Sequence, residues 1–162
     1  MDYDRPMKEE TRKAIASVLE VRVERAAALA RKAASDAAVK ETFRAKAMDL
    51  FEKTIRPTLA ELMAAIPKEV ATAKAFEQDL TKPGAQEMRM GFELEFAGQA
   101  PGSVKPTFTF KAFFHEHRFA VIWHHDQDGA WRNTEKKSLL PEQVTASLVE
   151  DEVVEFLGNA AR

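Results

Sequence analysis

Between Met7 and Arg56 there is neither glycine nor proline, and beyond Gly84 the apolar residues stop recurring every three or four positions and begin to alternate. This change of period, from 3.6 to 2, divides the chain into a helical half and a sheet half. Helices segregated from strands define an α+β protein with an antiparallel sheet, because a parallel sheet needs a crossover between successive strands.

Residues 7–56 are dominated by Ala, Glu, Lys, Arg and Leu, all strong helix formers. One helix over that stretch would be about 75 Å long; a hairpin or a coiled-coil-like pairing of shorter helices is the alternative. Ile15, Val18, Leu19, Ala26, Leu29 and Ala33 share one apolar stripe, which Arg22 and Arg25 interrupt. Phe43, Ala47, Leu50, Phe51 and Ile55 make a second stripe with larger side chains. Ser35-Asp36 lies between the two and is suited to cap a new helix, so a break is expected near 34–37. Pro57 disfavours helical geometry just before it, yet Leu59, Leu62, Met63 and Ile66 continue the period. Pro67 opens another helical segment, with Val70, Ala73, Phe76 and Leu80 on one side, and Lys82-Pro83-Gly84 ends the helical half.

In the sheet half, Met88, Met90, Phe92, Leu94 and Phe96 alternate with Arg89, Gly91, Glu93 and Glu95, the pattern of a half-buried strand. A loop from Gly98 to Pro106 precedes a second strand in which Phe108, Phe110, Ala112 and Phe114 share a face. His115-Glu116-His117-Arg118 is a polar hairpin tip, Phe119–Trp123 a third strand, Asp128-Gly129 a tight turn and Ala130–Lys136 a fourth strand. Pro141 and Glu142 signal the start of a closing helix lined by Val144, Leu148, Val149, Val153, Phe156 and Leu157, with Gly158 as its stop. The expectation is therefore long N-terminal helices, a four-stranded antiparallel meander and a C-terminal helix. Residues 1–82 would form a helical oligomerisation half and 83–162 a small sheet with its helix, as two domains or as one continuous domain.

Charge excludes some partners. The net charge is −2, and residues 1–83 carry 16 basic and 14 acidic groups against 8 and 12 in 84–162. Neither half is a polybasic surface, so neither nucleic acid nor an anionic membrane is an expected partner. No apolar run approaches the length of a membrane span. The first residues, MDYDRPMKEE, lack the apolar core of a signal peptide, which makes the cytoplasm the expected location. With no cysteine there are no disulfides, thiolate metal sites or thiol nucleophiles.

The histidines are the one cluster suggestive of chemistry. His115 and His117 flank Glu116, and His124-His125 precede Asp126. An H-x-H pair on a strand points both rings to one face, as metal ligation requires. The seven-residue step from His117 to His124 separates the groups by roughly 23 Å along a strand, too far for one ion, so no metal and no cofactor are expected. No nucleophile elbow, P-loop, dinucleotide-binding or zinc-protease motif is present, and no catalytic residue is assigned. Glu93 and Glu95 read as solvated residues on the polar face of a strand. The Phe-rich second strand lacks the pattern of an RNA-stacking platform and reads as core. Arg22 and Arg25 either fix the register of a helix interface or lie at the stripe's edge.

The reading these residues favour is a non-enzymatic homodimeric interaction or adaptor protein, with Ile15, Leu19, Leu29, Phe43, Leu50 and Phe51 at the dimer interface. A second reading is a small-ligand-binding protein or enzyme with an aromatic-lined pocket between sheet and helix, where His115, His117, Arg118 and Trp123 would meet a small apolar ligand. A third is a small acidic peptide-binding chaperone.

Overall fold

The computed structural model describes residues 7–78 and 84–162. In chain order the elements are α1 (Glu9–Leu50), a π-helical turn (Phe51–Ile55), α2 (Arg56–Ala65), β1 (Ala71–Glu77), β2 (Glu87–Phe96), β3 (Thr107–Phe113), β4 (Arg118–Gln127), β5 (Ala130–Leu139), a 3-10 turn (Pro141–Gln143) and α3 (Ala146–Ala160). The chain divides into two compact units, Met1–Glu41 and Thr42–Arg162. The first is helical throughout its described length from Glu9. The second contains all the strands among the described residues.

The fold is α+β, as the period change implies, but the antiparallel sheet has five strands rather than four, in the order β1-β2-β3-β4-β5. The extra strand is β1, read from the sequence as helix. Its register runs from Ala71 opposite Phe96 to Glu77 opposite Met90. Ala, Lys and Glu favour helix in isolation, but that preference is weak and the open edge of β2 offers a full ladder of backbone partners. The alternation of Ala71, Ala73 and Ala75 with Thr72, Lys74 and Phe76 is the signal that the three-residue spacing of Val70, Ala73 and Phe76 masked. Leu80, Lys82 and Pro83, the expected end of the helical half, lie outside the described residues.

The expected break at 34–37 does not occur. Helix α1 passes through Ser35 and Asp36, both exposed; with Ala on either side and no Gly or Pro, nothing disfavours continuation. The interruption comes later, where the Arg56 N–H donates to the Phe51 carbonyl, five residues back. Pro57 explains it: proline has no N–H to donate, and its ring would strike the carbonyl four residues earlier in a regular helix. The Thr58 hydroxyl donates to the Thr54 carbonyl at 2.6 Å, occupying an acceptor beside the irregular turn. The wider turn also keeps Phe43, Ala47, Phe51, Ile55 and Leu59, spaced by four, on one buried face, since that spacing would otherwise drift around a 3.6-residue helix.

That face covers one side of the sheet together with α3. Met88, Met90, Phe92 and Leu94 are buried and Phe96 is half-buried at the strand end, as the alternation predicts. Phe108, Phe110, Ala112 and Phe114 are buried as well. Two aromatic clusters result. Phe43 packs on Phe114 and Phe119, with Phe51 also on Phe119. Phe156 of α3 meets Phe92, Phe108 and Trp123 at ring separations of 5.5–5.7 Å. Helix α3 is capped by Thr145, whose side chain accepts from Leu148 N–H, and continues past Gly158 to Ala160. Gly158 keeps ordinary helical geometry, so its predicted role as the stop is not used. At the β4–β5 hairpin, Asp128 and Gly129 both take positive φ, 53° and 84°, as the sequence signal requires.

Candidate functional site

The proposed pocket residues do not converge. His115 and His117 lie in the β3–β4 turn and are exposed. His117 takes φ 51°, and its ring sits 5.7 Å from that of Phe43. Arg118 donates to Glu135 at 2.7 Å and pairs with Glu116 at 3.0 Å. Its guanidinium pKa is raised, first by the hydrogen bond to Glu135. It also stacks 4.4 Å from the Phe113 ring, on the sheet face opposite the helices. Trp123 is buried on the covered face. His124 and His125 sit at the far end of β4, bonded to Asn133 at 3.1 Å and Thr134 at 3.3 Å. Among the described residues no three His, Asp or Glu side chains are grouped as metal ligands.

Sequence reasoning missed a cleft of about 400 Å³ at that far end, bordered by Phe96, Pro106, His125, Asp126, Trp131 and Asn159. His125 is 7% exposed, and its Nδ1 has no hydrogen-bond partner. The signal available was the His-Asp pair beside a tight turn, which spacing alone could not join to the 97–106 loop and the end of α3.

The residues assigned to a dimer interface separate into two groups. Phe43 is 5% exposed, Phe51 is fully buried and Leu50 packs partly against the same core. These three pack within the second unit. Ile15, Leu19 and Leu29 are 46%, 56% and 69% exposed. Of the residues of α1 only Phe43 and Ala47 are buried, and those from Glu9 to Val39 are exposed.

A second pattern runs along this helical unit beside the stripe read by side-chain size. Ala16, Leu19, Val23, Ala26, Ala30, Ala33 and Ala37 follow one another at alternating steps of three and four, the heptad spacing of a helix–helix seam. Arg22 and Arg25 fall outside this seam. Ile15, Arg22, Leu29 and Asp36 flank one side of it, and Glu20, Ala27, Ala34 and Glu41 the other. The strict three-four spacing was legible in the sequence; weighting the large residues Ile15, Val18 and Leu29 obscured it.

No family model, no curated protein and no solved structure matches this chain. Among the described residues, no helix is long and apolar enough to cross a membrane.

Proposed function

We propose that this chain is a non-enzymatic, homodimeric interaction protein in which the helical unit pairs with that of a second copy and the five-stranded unit serves as the head. The observation that carries this reading is the heptad seam from Ala16 to Ala37, every member of which is exposed. Helices of this kind owe most of their stability to packing rather than to propensity, and the seam leaves Leu19 and Val23 exposed among small residues that allow close approach.

Light scattering at tens of micromolar tests it. The wild type is expected at twice its 18.2 kDa chain mass. Replacing both Leu19 and Leu29 by Glu puts charge into the interface and should raise the dissociation constant more than about 100-fold. Both positions are exposed in the single chain, so the variant's sheet should keep its near-UV circular dichroism. A monomeric wild type would sink the reading.

The cleft beside His125 supports a second reading, a site for a small polar ligand, since a buried imidazole nitrogen without a partner is costly unless something satisfies it. A ligand whose binding is lost in His125→Phe, in a protein that stays folded, would favour it.

A further inference from the structure

Resting on the dimer reading above, we infer that the two helices pair antiparallel, with Leu19 and Val23 of each copy set against Ala37 and Ala33 of the other and Arg22 facing the other copy's Asp36. The argument begins with side-chain size along the seam. Its large members, Leu19 and Val23, are both in the N-terminal half, and its C-terminal half is alanine at 26, 30, 33 and 37. In a parallel dimer each layer pairs a residue with its own copy. Leu19 and Val23 would hold the helices apart at one end while four alanine layers called for close approach at the other. In an antiparallel dimer the a and d positions of opposite helices share layers. Each a-to-d register pairs six of the seven seam residues, and the one that also sets Arg22 against the partner's Asp36 places Leu19 on the partner's Ala37, Val23 on the partner's Ala33 and Ala26 on the partner's Ala30. Large then meets small at both ends and the spacing stays even, the condition for close packing.

The flanking charges choose the same direction. In this register, residues on the Ile15 side of the seam face the same side of the other helix. Arg22 then lies against the partner's Asp36, twice by symmetry, and Leu29 meets its own copy near the two-fold axis. In the parallel arrangement the two sides cross, Arg22 would face the partner's Ala27 and the ion pair would be lost on both sides. Size and charge are independent properties of these residues, and both favour the antiparallel form.

The chain has no cysteine, so any introduced thiol reports alone. Leu19→Cys and Ala37→Cys variants are prepared separately, mixed, allowed to exchange and oxidised with copper phenanthroline. Products are read on a non-reducing gel, with light scattering of the reduced proteins in parallel. The mixture should give a disulfide-linked heterodimer, and each variant alone should give several-fold less product. Efficient self-linking of Leu19→Cys alone would establish the parallel form and overturn the inference while leaving the dimer intact. A dimer by light scattering with no linkage in any sample would overturn it too, placing the interface elsewhere, and a monomer would overturn both proposals.

A charge exchange supplies a second measurement. Asp36→Arg should weaken the antiparallel dimer roughly three- to tenfold, and adding Arg22→Asp should restore it. In a parallel dimer Arg22 and Asp36 do not face each other, so Arg22→Asp would not rescue Asp36→Arg, and that result would refute the inference.

Discussion

A methyl group at position 91 would sit 1.8 Å from the carbonyl oxygen of Phe108 and 3.0 Å from the ring edge of Phe76. Backbone cannot yield as a flexible side chain does, so glycine is required here by close approach. Phe76, directly opposite on β1, covers the bare strand at that point. Gly91→Ala should therefore lower stability by about 3 kcal/mol or more, read as a drop in the urea midpoint. An unchanged midpoint would mean that β3 does not lie where it is placed. Glu152 presents a different constraint. It is 2% exposed on α3, and its partner is the half-exposed Lys137 of β5. The lysine pKa is raised above its ordinary value, first by the hydrogen bond to Glu152 and then by its charge. A raised value means this pairing contributes fully below the unfolded lysine pKa and is lost as pH climbs through the folded one. Lys137→Met should cost about 1–3 kcal/mol near neutrality, reduced from the figure for a wholly buried pair because the lysine is half in water. The gap between wild-type and variant midpoints should hold from pH 7 to about 10 and narrow above that. A gap that widens with alkali would reverse the sign of the argument.

At the scale of elements, much of the architecture was legible because burial imposes a period. Strands β2 and β3 follow the alternation of their apolar residues, and the β4–β5 hairpin follows its Asp-Gly turn. Strand β1 was not legible, since seven residues of Ala, Lys, Thr, Phe and Glu satisfy either period and only the neighbouring edge of β2 decides between them. The π-turn was foreshadowed by Pro57 without being readable from it, because proline can also end a helix. The pocket and interface assignments were least legible. His115 and Arg118 belong to a turn and an ion-pair network, and whether Phe51 faces a partner or its own core depends on whether the helix from Thr42 onward lies over the sheet. Residue type alone does not distinguish these.

At the scale of the molecule, the boundary between Glu41 and Thr42 separates a helix with no buried residue from a unit that holds the whole core. A fragment spanning residues 38–162 should then keep the full-length unfolding free energy, measured by urea titration at micromolar concentration, to within about 0.5 kcal/mol. A larger loss would show that the first unit supports the second.

The meander order of the sheet bears on how the protein reaches this state. Strand order repeats chain order from β1 to β5, so each strand's ladder partners are its neighbours in sequence. Loops of a few residues close within microseconds, and entropy penalises short closures least. Such a sheet can zip hairpin by hairpin from the Asp128-Gly129 turn, where the backbone twist is already set. The contacts most separated in sequence are those of the π-turn and α2 with α3. The π-turned helix would then dock last, on a sheet already formed, and the rate at which it docks would govern when the apolar face of that sheet leaves water.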